Sequence, residues 1–322
     1  MPVISESSYR SPFWLPNRHL QTIYPNILRR IEGVHYQRER IDTPDGDFLD
    51  LDWCKSPSGQ PRLVIMSHGL EGDTHRTYMK GMVRAFRQQN WDVLTWNYRG
   101  CSGENNRLIK AYHSGATYDL ATVVQHALSL NVYQEVVMVG FSLGGNLTLK
   151  YLGEQGAQLS ELITKSVIFS APVDLAACAD EISKPHNFIY AKRFLRTLKQ
   201  KLKAKIERYP DAFAPGIMQQ IKTLRDFDNL YTAPVHGFEN AQDYYKQCSA
   251  RYFLDTIAIP TLIVNAQNDS FLAPTCYPKT QVEKLDWIFL EIPRKGGHCG
   301  FAPAKPNDLY WSEQRALEFV QG

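Results

Sequence analysis

The sequence predicts an α/β fold, a mostly parallel central sheet with helices on both faces, and three observations carry that expectation. Short apolar runs of strand length recur at residues 63–66, 136–139, 166–169 and 261–264. Between most of them lie segments whose apolar residues follow helical spacing, and a strict strand–helix alternation implies crossover connections and parallel pairing. The chain is also large enough: 322 residues, 43% of them hydrophobic, can bury a substantial core.

In chain order, residues 34–53 alternate apolar and polar around Thr43-Pro44-Asp45-Gly46-Asp47 and read as a β-hairpin. A strand at 63–66 ends in Ser67-His68-Gly69 and leads to a helix at 78–89. A strand at 91–96, a helix at 117–130, a strand at 136–139, a helix at 145–153 and a strand at 166–169 continue the alternation. Strands at 261–264 and 287–290 and a helix at 312–320 complete it. Residues 171–259 break the pattern. They read as mostly helical, and the stretch 189–209 puts Phe194, Leu195, Leu198, Leu202 and Ile206 on one face. The simplest organisation is a core of 1–172 and 258–322 carrying a helical cap, 173–257, over the carboxyl edge of the sheet, where open α/β sheets bind ligands.

Bulk chemistry removes several classes of function. The 36 basic and 33 acidic residues leave a net charge of only +3, so no nucleic-acid partner is expected. Cys54, Cys101, Cys178, Cys248, Cys276 and Cys299 form no CxxC pair and read as reduced thiols. Prolines and charges interrupt the first twenty residues where a signal peptide needs an apolar run, and no later stretch approaches membrane-spanning length. A cytoplasmic protein without stable membrane insertion is expected. The basic residues of 189–209 could face an anionic membrane surface, but a solvated outer face of the cap is the plainer reading.

The stretch GFSLGGN, residues 140–146, sits where the strand at 136–139 gives way to a helix. Gly140 and Gly144 lack the Cβ atoms that would collide in so sharp a reversal, and Ser142 between them is presented above the sheet as a nucleophile. A serine hydroxyl needs a base and a group to hold that base. His298, in Lys295-Gly296-Gly297-His298-Cys299-Gly300-Phe301 after the last strand, is the best-placed base. Asp269 follows the strand at 261–264 and is the candidate acid; its competing reading is a turn residue capping the next segment. Asp243 and Asp255 are weaker candidates because they belong to the cap. The oxyanion of a tetrahedral intermediate needs backbone donors, assigned to the N–H groups of Leu143 and of Leu70 in Ser67-His68-Gly69-Leu70-Glu71-Gly72. His68 is read as shaping that loop, since no HxH or HExxH spacing supplies companion metal ligands. Arg99 reads as a structural partner of Glu104 or Asp119, and Cys101 and Cys299 as packing residues.

Together these motifs resemble the α/β-hydrolase superfamily and, within it, the bacterial YheT-type hydrolases, which are related to eukaryotic membrane-anchored α/β-hydrolase-domain lipases. The resemblance runs from Asn17-Arg18-His19-Leu20-Gln21-Thr22 through His68-Gly69-Leu70-Glu71-Gly72, Arg99 to Gly103, His113-Ser114-Gly115, Gly140 to Gly145, Asp243-Tyr244-Tyr245 and Gln247-Cys248-Ser249-Ala250 to Asp269 and Gly297-His298. It implies an α/β-hydrolase fold, a Ser142-Asp269-His298 triad and a carboxylesterase or lipase-like activity with no cofactor and no metal. The eukaryotic anchor has no counterpart in the sequence, so the expected partner is a small-molecule ester. The expected enzyme is a serine carboxylesterase for short to medium acyl chains. A monoacylglycerol lipase or thioesterase with the same triad and a catalytically silent binding protein are the alternatives.

Overall fold

The computed structural model describes residues 2–304 and 309–322. Nine strands form one sheet: β1 (Val3–Ile4), β2 (Gln37–Asp42), β3 (Phe48–Cys54), β4 (Arg62–Ser67), β5 (Asp92–Asn97), β6 (Glu135–Phe141), β7 (Ile163–Phe169), β8 (Thr261–Val264) and β9 (Ile288–Glu291). Their spatial order is β1-β9-β8-β7-β6-β4-β5-β3-β2. All neighbours from β1 to β5 run parallel; β3 pairs antiparallel with β5 and with β2, as a hairpin edge. The parallel strands therefore open their carboxyl ends on one edge, and every loop that carries a candidate catalytic residue leaves from it.

The strand alternation sorts side chains into two cores. Leu63, Ile65, Val136 and Met138 face α3 (Thr117–Ser129) and α4 (Leu143–Gln155), while Val64, Met66, Val137 and Val139 face α2 (Thr77–Gln88) and the last helix, Trp311–Gln321. These strand side chains are essentially inaccessible, and each contributes roughly 1.5–3 kcal/mol through burial. The near-continuous apolar runs in β4 and β6 follow from that double coverage.

Two N-terminal elements escape the sequence pattern. β1 joins β9 at the sheet edge, and α1 (Arg18–Ile27) starts at Asn17, whose side chain accepts from the Leu20 N–H. The prolines of this region do not prevent the helix, and Pro25 lies inside it. Arg99 is enclosed and bonds Asp119 at 2.6 Å and Asp45 at 2.8 Å, tying the end of β5 to α3 and to the hairpin turn. Glu104 is taken by Arg40 instead, so of the two suggested partners Arg99 uses Asp119.

Between β7 and β8 the chain makes helices only among the described residues. They include α5 (Leu175–Ile182), α6 (Phe188–Arg208), short turns at Leu224–Phe227, Asp228–Thr232 and Ala233–His236, and α7 (Ala241–Cys248); Trp311–Gln321 is then α8. The apolar stripe of α6 turns inward with Leu198 and Leu202 buried. Its basic residues do not all lie opposite. Lys205 is buried against the Asn106 and Leu108 carbonyls, and burial drags its ammonium down to about 8. Lys201 also turns inward, onto the Glu71 carboxylate and the Cys101 sulfur. No helix among the described residues is long and apolar enough to cross a membrane.

Candidate active site

β6 ends at Phe141 and α4 begins at Leu143, so Ser142 is the whole turn, at φ 53° and ψ −121°. Its N–H donates to the Phe169 carbonyl at 2.9 Å, which anchors the turn on β7. A Cβ on Gly140 would stand 2.7 Å from the Gly144 oxygen and the Gly145 Cα, the collision of strand with its own helix that the motif foretells. A Cβ on Gly144 would strike something else: the Ser67 and His68 carbonyls at 2.4 and 2.5 Å, where β4 leaves the sheet. Gly144 thus lets the Ser142 turn press against the neighbouring loop.

Ser142, His298 and Asp269 meet across three loops. Oγ of Ser142 lies 2.8 Å from Nε2 of His298, and Nδ1 of His298 lies 2.8 Å from Oδ2 of Asp269. The second oxygen of Asp269 accepts from the Phe271 N–H at 2.9 Å, so this residue both caps its turn and holds the imidazole. With one carboxylate oxygen on Nδ1, the ring's other nitrogen is left to accept from the serine hydroxyl. Burial alone would make His298 less basic, but the facing Asp269 carboxylate outweighs it and raises the imidazole well above its ordinary 6.5.

The His298 loop is held by α1, which spacing arguments did not connect to the site. Thr22 Oγ1 accepts from the His298 N–H at 2.9 Å, and Gln21 Oε1 accepts from the Gly296 N–H and the Asn268 side chain, both at 2.9 Å. Gly297, at φ +60°, packs so closely that a Cβ would sit 2.8 Å from Thr22 Oγ1. The only sequence signal for this brace is the Asn17–Thr22 motif.

Leu70 and Leu143 border the cavity that opens at Ser142, and neither backbone N–H is taken by a protein acceptor among the described residues. Leu143 is the first residue of α4, where a helix leaves its N–H groups unpaired. The loop around Leu70 is locked from all sides. His68 is fully buried with Nδ1 on the Gly69 carbonyl at 2.8 Å, and burial lowers it to about 4, so it stays neutral. Tyr78 Oη accepts from the Gly69 N–H, and Tyr112 Oη accepts from the Glu71 N–H, both at 3.0 Å. Glu71, at φ 51°, also pairs with Lys201 of α6 at 2.8 Å, which links the cap helix to this loop.

The cavity holds about 110 Å³. Pro172, Leu175, Ala179, Ile182, Leu198 and Phe271 supply much of its apolar wall, while Asp228, Thr232, Tyr244 and Tyr245 add polar groups that sequence spacing did not reveal. Asn146 of the nucleophile motif ties its floor together, donating to the Ser114 and Cys248 carbonyls and accepting from the Ala250 N–H at 2.8–2.9 Å. The alternative acids lie elsewhere: Asp243 sits in the first turn of α7, its N–H on the capping Asn240 and its carboxylate accepting from Gln247, and Asp255 accepts from Gln281. Burial pushes the Cys101 thiol up to about 11, which denies it nucleophile character, and Cys299 is buried with its N–H on Ser170 Oγ.

This architecture has counterparts among known proteins. The family model described as alpha/beta hydrolase fold matches residues 62–303. YheT of Escherichia coli (strain K12), a candidate esterase by its name, is 37% identical over 290 residues, 88% of this chain and 84% of that protein. Phospholipase ABHD3 of Homo sapiens is 27% identical over 99% of this chain and 80% of its own length, and the monoacylglycerol lipase of Saccharomyces cerevisiae is 28% identical over 84% and 60%. The Pyrococcus furiosus esterase Pf2001 superposes with a TM-score of 0.59 at 16% identity, covering 92% of this chain and 96% of that one, a likeness of fold. The chain belongs to the α/β-hydrolase family, with a relative named as an esterase at more than a third identity.

Proposed function

We propose that the protein is a serine carboxylesterase that splits esters of short to medium acyl chains, with Ser142, His298 and Asp269 as its triad and residues 173–257 as the cap that shapes substrate choice. The observation that carries this reading is the pair of 2.8 Å contacts running from Ser142 Oγ through His298 to Asp269 beside an apolar cavity. Ser142 Oγ attacks the ester carbonyl carbon as His298 Nε2 takes the hydroxyl proton, and Asp269 stabilises the imidazolium. The carbonyl oxygen, now negative, is met by the N–H groups of Leu70 and Leu143; one such donor is commonly worth about 3–4 kcal/mol of barrier. Collapse of the tetrahedral intermediate breaks the C–O bond, and His298 gives its proton to the departing alcohol. Water, deprotonated by the same imidazole, then releases the acid and restores Ser142. These steps need only the chain's own groups and water, and they suit a small-molecule substrate met in the cytoplasm.

The small cavity favours a modest acyl chain over a long one. The likeness to a monoacylglycerol lipase supports a second reading in which the leaving alcohol is a glycerol. The test uses p-nitrophenyl esters of increasing chain length with the native protein and Ser142→Ala, together with a fluorophosphonate probe and mass mapping. Turnover should fall by about 10⁴-fold or more in the folded variant, with the label on Ser142 alone. Undiminished turnover in Ser142→Ala, or a label on another residue, ends the reading.

A further inference from the structure

The cavity beside Ser142 holds one carboxylate that the proposed reaction does not use. Asp228 opens the π-helical turn Asp228–Thr232 and lines the cavity with Tyr244, Tyr245 and Phe227. Thr232 Oγ1 donates to its Oδ1 at 2.8 Å and Tyr245 Oη donates to its Oδ2 at 2.7 Å. A carboxylate has about four acceptor sites, so two remain. No ion pair among the described residues reaches it: Arg225, three residues earlier, is taken by Asp180 at 2.7 Å. Burial pushes the Asp228 carboxyl up to about 6, against the two hydrogen bonds that favour its charged form. A carboxylate in a mostly apolar cavity, partly hydrogen-bonded and without an ion-pair partner, is costly unless a further donor arrives, even with the Arg225 charge acting from a distance.

We infer that Asp228 selects for an ester that carries a hydroxyl group on the chain entering the cavity, accepting a hydrogen bond from that hydroxyl at a lone pair left open by Thr232 and Tyr245. A hydroxyl fits the site better than an ammonium group. An ammonium needs up to three acceptors and the burial of a second charge, whereas a hydroxyl donates once and keeps the cavity neutral beyond Asp228. Holding the turn together requires only the Thr232 and Tyr245 bonds and would not place the carboxylate on the cavity wall. The π-helical turn, a feature frequent at functional sites, does so.

The inference rests on the esterase reading, and its test separates the two. Matched esters with straight chains of roughly four to eight carbons are compared with analogues bearing a terminal hydroxyl, in one series on the acyl side and in another on the alcohol side. In the native enzyme at least one hydroxylated series should exceed its methyl-ended match by about tenfold in kcat/KM, mainly through KM. Asp228→Asn should reduce that preference to less than about threefold, with its thermal midpoint measured alongside. Tyr245→Phe, which frees a further lone pair, should keep or enlarge it. Equal use of both members of every pair by the native enzyme overturns the inference, as does a preference that survives in folded Asp228→Asn. Plain esters turned over through Ser142 without any hydroxyl preference leave the esterase reading standing; a folded enzyme that turns over no ester in either series removes both.

Discussion

Ser142 is held at φ 53° and ψ −121°, a backbone state that costs a serine about 1–3 kcal/mol and persists because β6, α4 and the β4 exit over-determine it. The same turn gave the clearest local signal in the sequence, since glycine spacing and an apolar strand stand next to each other. His298 has the greater consequence for behaviour in solution. In the proposed role it works as a base only when neutral, and the Asp269 carboxylate keeps it protonated to higher pH than an isolated imidazole with its ordinary 6.5. Activity is therefore lost as pH falls through the raised value. The acid limb of the kcat/KM profile should lie above about 6.5, measured with an ester whose own hydrolysis is subtracted; a limb at or below that value refutes the assignment of His298 as base. Asp269 could be nominated from strand order alone, but spacing could not separate catalytic acid from turn cap. In the structure one oxygen accepts from the Phe271 N–H and the other lies 2.8 Å from His298 Nδ1, so both readings have their contact. Asp228 was illegible because its meaning depends on which side of a helical turn faces a cavity built from distant segments.

At the scale of elements, strands β4 to β9 and helices α2, α3, α4 and α8 were readable, because buried strands and amphipathic helices write distinct periods into the chain, while β1 and the one-turn helix Lys279–Val282 are too short to do so. α1 was not. Its length and interruptions resemble a loop, and what stabilises it is docking against the Gly296–His298 segment. Gln21 is almost completely buried, and its amide bridges the Leu15 carbonyl, the Gly296 N–H and Asn268. Gln21→Leu keeps the bulk but leaves those groups without partners. It should lower kcat by about 10- to 100-fold through misplacement of His298, with KM little changed. The measurement is steady-state kinetics corrected for the fraction of sites that a fluorophosphonate labels. A kcat within about twofold of the native value would show that α1 does not position the base. In α6, likewise, the helical stripe was legible while the inward turn of Lys201 and Lys205 was not, since their partners Glu71 and Asn106 lie 130 and 99 positions away.

Across the whole molecule the two ends of the chain converge on one sheet edge and one loop. β1 lies beside β9, and the bonds from α1 to the His298 loop join residues 275 and 276 positions apart. Closing so long a loop costs only slowly more than closing a short one, so the arrangement is affordable at equilibrium. Its effect falls on the order of events. The sheet from β4 to β7 can pair from contiguous sequence, whereas the base of the site cannot be seated until the final strands have joined and the first segment has folded back over them. During synthesis Ser142 would leave the ribosome long before His298 and remain chemically ordinary until the His298 loop is seated. In refolding from denaturant, secondary structure should return first and fluorophosphonate reactivity at Ser142 later, as a distinct slower phase. Simultaneous recovery of the two signals would rule this order out. On that order, the brace from α1 to the His298 loop times the proposed chemistry: Ser142 acquires its base only once both distant segments have docked.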